Sequence, residues 1–369
     1  MNITMKETGD DLGPTKVIWL RQPRAGLEAF VVVDNVACGP AMGGIRMAEN
    51  VTIDEVARLA RSMTLKNAAA GLPHGGGKAG IVADPAAPPD RKESLIRTFA
   101  NAIRDLTDYI PGPDMGVNEE CMAWIKDEIG RVVGLPKVLG GIPLDEIGAT
   151  GFGLAIAAEV AASHAKFDLH GSRIAIQGFG AVGIHAARFL IQRGAKLVAA
   201  SDSHGALFNG DGLPVEELIS LKKKGQPLNK FPGGTPISGE DLVGVDCDIW
   251  IPAARPDVLN ESNVGRLRAR VVLQGANIPA TPAAEAWMHA NNVLNVPDFI
   301  ANAGGVICAS VEYHGGTQSQ AMATIEERIC SNTIEVLDNA KKQKCVPRLS
   351  ALQMARSRVE EAMKYRRNG

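Results

Sequence analysis

Net charge is almost absent from this sequence, as are long apolar runs, paired cysteine motifs and repeats, and each absence removes a class of function. Lysine and arginine total 39 against 41 acidic residues, a net charge of −2. Nothing electrostatic therefore draws the chain to nucleic acid or to an anionic membrane. The basic patches Lys222-Lys223-Lys224 and Lys341-Lys342-Gln343-Lys344 are short and read as solvated loops or helix ends. No segment approaches the roughly 18 uncharged apolar residues of a membrane span. The six cysteines, at positions 38, 121, 247, 308, 330 and 345, form no CxxC pair and have no histidine at ligand spacing. That argues against both a metal site and a disulfide framework, and reduced thiols in a cytosol are the simplest account. Residues 1–7 lack the apolar run of a signal peptide. The expectation is a soluble, cytoplasmic protein with no metal, no nucleic acid and no membrane partner.

What is present is an ordinary globular composition, 45% hydrophobic and 22% charged, in a chain of 369 residues. That is long enough for two domains, since single cores stop growing at roughly 250–300 residues. Strands are predicted at 17–20 and 27–34, separated by a Pro/Gly turn. Thr52-Ile53-Asp54-Glu55 matches a capping box, and Val56, Leu59, Ala60 and Met63 then repeat at helical spacing, so a helix begins there and carries Lys66 near its end. A further amphipathic helix is predicted over 93–106. After Pro143 the pattern changes: helix at 155–165, strand at 173–177, a glycine cluster, helix through Arg193, strand at 196–200, and later strands at 248–251 and 271–274. Such alternation is the signature of an α/β fold with a parallel sheet. The last stretch, 325–365, reads as charged helix folding back on the first domain.

The glycine cluster Gly178-Phe179-Gly180-Ala181-Val182-Gly183 stands between a predicted strand and a predicted helix. In that context Gly178 permits a tight turn, Gly180 lets the backbone approach a pyrophosphate, and Gly183 allows close helix–strand packing. The phosphates would lie at the helix N-terminus, where free N–H groups favour anions. Asp202, 24 residues after Gly178, stands where an acid binding the ribose hydroxyls is expected. It favours NAD, while Ser201, Ser203 and His204 leave NADP open. The alternative is a Rossmann-like turn without cofactor.

A second constellation lies nearer the N-terminus: Gly43-Gly44, Lys66, then Leu72-Pro73-His74-Gly75-Gly76-Gly77-Lys78, with Pro113-Asp114 beyond. Two lysines and a carboxylate among glycines suit a small anionic substrate. Oxidising an amino acid requires a fixed cation for the α-carboxylate and a group that removes the amine proton. A lysine whose pKa is lowered by burial, beside a carboxylate, can manage the proton transfers. Lys78 suits the catalytic role, Lys66 the carboxylate-binding role and Asp114 the general acid/base role. Three consecutive glycines are read as letting substrate approach the backbone beside Lys78. The opposing reading makes both lysines surface residues and Asp114 a turn residue. His74, Cys38 and Cys308 read as structural.

These residues, taken with Gly39-Pro40-Ala41-Met42-Gly43-Gly44-Ile45-Arg46, Met63-Thr64-Leu65-Lys66-Asn67, Gly112-Pro113-Asp114, Ala149-Thr150-Gly151, Gly275-Ala276-Asn277 and Pro297-Asp298-Phe299-Ile300-Ala301-Asn302-Ala303-Gly304-Gly305-Val306, resemble the glutamate/leucine/phenylalanine/valine dehydrogenase family over nearly the whole chain. The resemblance implies an N-terminal α/β substrate and oligomerisation domain over 1–145, joined by a C-terminal helical return over 325–369. It implies a Rossmann domain over 146–324, with a cleft between the two. It implies that Lys66 binds the α-carboxylate, that Lys78 and Asp114 are catalytic, that Thr150 contacts the nicotinamide carboxamide, and that Asn277 and Asn302 line the nicotinamide side. The implied reaction is reversible oxidative deamination to a 2-oxo acid and ammonia, by a homo-oligomer, commonly a hexamer or octamer.

Departures from the family pattern bear on the substrate. Members acting on glutamate carry a lysine immediately before the Gly-Gly pair, where this chain has Met42, and a serine three residues after the valine of Asn-Ala-Gly-Gly-Val, where it has Ala309 with Ser310 one step later. Both polar contacts to a side-chain carboxylate are thereby lost, and a buried carboxylate without a partner costs about several kcal/mol. The expected substrate is an L-amino acid with an apolar side chain of leucine, valine or phenylalanine type, with Met42, Gly43, Gly44 and Ala309 about it. Against this, residues 198–212 resemble glutamate-type members more closely, so glutamate is the alternative. A catalytically silent nucleotide-binding protein on the same fold is the rival from another class.

Overall fold

The structure is a computed structural model and describes residues 9–366; the signal-peptide reading of residues 1–7 falls outside them. The chain groups into two units, one of Met1–Pro143, Val306–Ala321 and Leu352–Gly369, the other of Leu144–Gly305 and Met322–Ala351. The single return expected over 325–369 is divided between them. It is two helices, broken at Lys344 with φ +53, and only its second part groups with the first unit.

The first unit holds a five-stranded sheet in the order β1-β2-β4-β3-β5, formed by β1 (Lys16–Gln22), β2 (Leu27–Asn35), β3 (Ala41–Ala48), β4 (Gly75–Val82) and β5 (Tyr109–Pro113). β1, β2 and β4 pair antiparallel, whereas β3 runs parallel to both β4 and β5. The two-residue period of β2 divides its side chains between two cores. Ala29, Val31 and Val33 join one cluster, with Leu95, Phe99 and Met122 of α2 (Pro89–Ala102) and α3 (Glu119–Ile129). Phe30 and Val32 join the other, with Val56, Ala57 and Ala60 of α1 (Ile53–Ala69). Each fully buried valine or isoleucine here contributes about 1.5–3 kcal/mol of transfer free energy. The N-cap half of the expected capping box is present, the Thr52 hydroxyl accepting from the Glu55 backbone N–H at 3.3 Å, while Glu55 Oε1 pairs with Arg46. Helix α2 begins four residues before the predicted 93, because Pro89 occupies its first turn, where a missing N–H costs nothing.

The second unit holds α4 (Ala149–His164) and a seven-stranded sheet in the order β12-β11-β10-β6-β7-β8-β9. Its strands are β6 (Arg173–Gln177), β7 (Lys196–Asp202), β8 (Gly205–Phe208), β9 (Thr235–Ile237), β10 (Ile249–Pro252), β11 (Val271–Leu273) and β12 (Leu294–Val296). β6, β7, β10, β11 and β12 are parallel, with α5 (Ala181–Gln192) following β6. β8 and β9 add an antiparallel edge that the sequence reading did not anticipate, reached through a turn at Gly205 with φ +144. The remaining helices are α6 (Val215–Lys223), α7 (Pro282–Ala290), α8 (Asp298–Ala301), α9 (Gly304–Tyr313), α10 (Gln318–Gln343) and α11 (Pro347–Met363). Among the described residues no helix is long and apolar enough to cross a membrane. No group of three or more His, Cys, Asp or Glu among them is placed to hold a metal ion.

Candidate active site

Lys78 is only 6% exposed, in the fourth strand of the first sheet, where it pairs with Val32 of β2. Its Nζ lies 2.7 Å from Asp114 Oδ2, just beyond the end of β5. Burial pushes the Lys78 amine below the ordinary lysine range, and the Asp114 charge opposes that push. Burial works to raise Asp114, but the Lys78 and Arg46 cations win and hold its carboxyl below the usual range. The pair the sequence separates by 36 residues is thus one buried ion pair. The reading of Lys78 as a surface lysine is excluded by its burial.

Lys66 occupies the last turn of α1 and is half-buried. Met42 is 2% exposed and sits on β3 opposite Gly76 of β4 and Ile110 of β5. Ala309 is on α9, which groups with the first unit from Val306 onward, and is buried. Ser310, one step later, is committed elsewhere. Its hydroxyl lies 3.1 Å from Nε2 of His74, a residue that is itself buried. Burial, reinforced by His314, pushes the His74 pKa down to about 4, so its ring is neutral at pH 7.

The glycines around the lysines have a different reason from the one the sequence reading assigned. A Cβ on Gly75 would overlap the Asn35 carbonyl, one on Gly76 the Thr64 backbone nitrogen, and one on Gly43 the Gly77 carbonyl. On Gly77 it would press on the Tyr109 ring at 2.9 Å, and on Gly44 it would come within 2.8 Å of the Asp114 Cβ. The space in front of these glycines is filled by the protein itself: α1 at Gly76, main chain of β2 and β4 at Gly75 and Gly43, Pro113 and Asp114 at Gly44, and the Tyr109 ring at Gly77. They serve close packing rather than close approach of a ligand.

The second glycine cluster differs. Gly178 has φ +98, and a Cβ there would strike Ala254, while one on Gly183 would overlap the Gly178 carbonyl. Gly180 faces open space: nothing lies within 4 Å of a Cβ built on it. Gly180 caps α5 with no side-chain hydrogen bond, so the first-turn N–H groups of Ala181, Val182 and Gly183 have no side chain to accept from them. Phe179 is buried and its N–H donates to the Ser201 carbonyl at 2.7 Å, fixing the turn to β7. A dinucleotide pyrophosphate fits this cradle.

Asp202 ends β7 as expected, but its carboxylate is largely satisfied by the protein. Oδ2 accepts from Lys222 Nζ at 2.8 Å and from the Leu228 N–H at 3.1 Å, and Oδ1 from the His204 N–H at 2.9 Å. These contacts fix the Asp202 carboxylate at the end of β7 and leave Oδ1 a further lone pair with which to accept. Thr150 lies in the first turn of α4, half-buried, and its Oγ1 would be 3.4 Å from a Cβ on Gly305. Asn302 Nδ2 donates to Asn277 Oδ1 at 3.0 Å and to the Gly275 carbonyl at 3.3 Å, so the two asparagines form one group within the second unit.

Two charged side chains, Arg46 and Glu312, carry weight that the sequence reading gave them no role for. Arg46 Nε is 3.1 Å from Asp114 Oδ2, and its Nη1 is 2.5 Å from Glu55 Oε1. Glu312 is buried, its carboxylate accepting from the backbone N–H groups of Gly134, Leu135 and Ile142 at 2.7, 3.1 and 2.9 Å. Arg46 was legible as the basic residue two positions beyond Gly44 on one strand, and Glu312 as the acid in an otherwise apolar α9.

Residues 140–367 match the family described as Glutamate/Leucine/Phenylalanine/Valine dehydrogenase, and residues 14–131 match Glu/Leu/Phe/Val dehydrogenase, dimerisation domain. The chain is 37% identical over 355 residues to a glutamate dehydrogenase of Aeropyrum pernix, covering 90% of this chain and 85% of that protein. It is 36% identical over 354 residues to an NADP-specific glutamate dehydrogenase of Saccharolobus shibatae, covering 90% and 83%. Among solved structures, the leucine-bound form of a hetero-hexameric glutamate dehydrogenase from Thermus thermophilus superposes with a TM-score of 0.83 at 29% identity, covering 95% of this chain and 90% of that one. The chain belongs to the Glu/Leu/Phe/Val dehydrogenase family. It is an NAD(P)-dependent amino-acid dehydrogenase, an oxidoreductase built from an α/β dimerisation and substrate domain and a Rossmann-like domain.

Proposed function

We propose that this enzyme oxidatively deaminates an L-amino acid with an apolar side chain, reversibly, to the 2-oxo acid and ammonia. The observation that carries the side-chain preference is the pairing of Ser310 with His74. The hydroxyl nearest in sequence to the missing serine is engaged with His74, so it does not stand in for that serine opposite a distal carboxylate. Lys66 binds the α-carboxylate. Lys78, with its amine pK lowered by burial, takes the proton that the substrate amine or an attacking water must lose, and Asp114 receives or returns it at 2.7 Å. Gly178, Phe179, Gly180, Ala181, Val182 and Gly183 would hold a nicotinamide dinucleotide, which would supply the hydride acceptor. Thr150, Asn277 and Asn302 would line its nicotinamide side, and Asp202, held by Lys222, its ribose side. A homo-oligomer is the proposed working form; the hetero-hexameric Thermus thermophilus relative supports assembly into an oligomer, not identity of its subunits.

The names of the relatives weigh the other way: they favour glutamate over an apolar substrate. Both readings meet in one experiment. The purified enzyme is given ammonia with 2-oxoglutarate, 2-oxoisocaproate, 2-oxoisovalerate and phenylpyruvate in turn, following NADH and NADPH oxidation separately. The apolar reading expects 2-oxoglutarate to be the poorest of the four by about ten-fold or more in kcat/KM. It also expects Met42→Lys to raise the 2-oxoglutarate ratio. Preference for 2-oxoglutarate in the unmodified enzyme, with no gain from Met42→Lys, sinks the reading in favour of glutamate.

A further inference from the structure

The Asp114 carboxylate is touched by two cations, and only one of them belongs to the proton-transfer pair. Its Oδ2 receives both Lys78 Nζ at 2.7 Å and Arg46 Nε at 3.1 Å. Arg46 is itself gripped at the far end. Its Nη1 lies 2.5 Å from Glu55 Oε1, and Glu55 is the residue whose N–H closes the cap of α1 on Thr52. The side chains of Arg46 and Asp114 are 20% and 22% exposed, so the contact is partly screened but not bulk-solvated. An arginine held at both ends cannot swing away from the carboxylate, and its planar fork loses little freedom in doing so.

We propose that Arg46 is a positioning residue for proton transfer: anchored by Glu55, it fixes the Asp114 carboxylate against Lys78 and sets the pH range in which that pair works. The inference rests on Lys78 and Asp114 being the proton-transfer groups. The charged and titratable side chains about the pair are Arg46 from β3, Glu55 from α1, Lys78 from β4 and Tyr109 from β5. The Tyr109 hydroxyl donates to the Gly43 carbonyl at 2.9 Å and is pushed up by burial, so it stays neutral. Arg46 pulls Asp114 down and also opposes the charged form of Lys78, whereas Glu55 favours that charged form. The signs then separate. Removing Arg46 raises both groups. Removing the Glu55 charge lowers Lys78 and leaves the Arg46 charge uncompensated, which lowers Asp114 as well.

The test is the pH profile of kcat for oxidative deamination, where free-substrate ionisation does not enter, with whichever of L-leucine, L-valine, L-phenylalanine and L-glutamate turns over best. Arg46→Met is expected to move the ascending limb to higher pH by about half a unit or more, since a nearby opposite charge moves a carboxylate by roughly 1–3 units. Glu55→Gln is expected to move it the opposite way, and Arg46→Lys to return it toward the wild-type position. If Arg46→Met does not fold, Glu55→Gln decides alone: an acid shift supports the proposal and an unmoved limb overturns it. Shifts of the same sign in both variants, or none, also overturn it, because a general loosening of structure has no reason to reverse sign. Lys78→Ala and Asp114→Asn separate the two levels. Turnover retained in those variants defeats the site assignment and this inference with it. Turnover abolished there, with limbs unmoved by Arg46→Met and Glu55→Gln, defeats the inference alone.

Discussion

The two glycine clusters of this enzyme look alike in sequence and part company at one position, Gly180. Around Lys78, every position where a Cβ could be added on Gly43, Gly44, Gly75, Gly76 or Gly77 is already taken by protein atoms. At Gly180 the same operation meets nothing within 4 Å. Glycine throughout the first cluster makes room for close packing; in the second, Gly178 and Gly183 do the same and Gly180 keeps a place free. A glycine-rich stretch beside a reactive side chain is therefore no evidence of a ligand until the space in front of it has been inspected.

Three substitutions sharpen that contrast. Gly76→Ala sets a methyl into the Thr64 backbone nitrogen, where neither partner is the flexible end of a side chain. It should cost about 3 kcal/mol or more and lower Tm by roughly 6–12 °C, and a melting curve within a degree of wild type would mean that α1 and β4 are not in contact there. Gly44→Ala brings its methyl to 2.6 Å from the Pro113 carbonyl and 2.8 Å from the Asp114 Cβ. A smaller stability loss of about 1–3 kcal/mol should come with a fall in kcat of roughly ten- to a hundred-fold, because Asp114 is displaced from Lys78; a Gly44→Ala enzyme that loses stability yet keeps the wild-type kcat would break the link between packing and chemistry. Gly180→Ala should leave Tm unchanged and raise the coenzyme KM about five-fold, since its methyl meets only bound phosphate. An unaltered coenzyme KM would place the pyrophosphate elsewhere.

Much of the fold was legible because its signals are local. The cap at Thr52, the strand at 173–177 and the helix carrying Lys66 follow from spacing and side-chain chemistry within a few residues. β4 was not, because Gly75, Gly76 and Gly77 have no side chains to show a two-residue alternation, and the strand exists only through its neighbours β2 and β3. β8 and β9 were missed for a related reason: they are three or four residues long and owe their place to pairing on β7. In the site, Lys78 and Asp114 were legible as residue types suited to the chemistry, but their contact at 2.7 Å is a product of strand order. Asp202 was legible in position, but its contact with Lys222, 20 residues on, was not. The pairing of Ser310 with His74 joins residues 236 apart, beyond the reach of any local pattern.

The contact of Gly76 with Thr64 has a consequence for how such an enzyme can diversify. Lys66 leaves the helix two residues past Thr64, and Lys78 leaves the strand two residues past Gly76. The backbone points from which the two side chains depart are thus set against each other by main chain pressed on main chain, like the jaws of a caliper with no cushion between them. Met42 belongs to the same block, opposite Gly76 in the register of β3 and β4, whereas Ala309 stands on another helix. A substitution at Ala309 can leave that block of main chain where it was set.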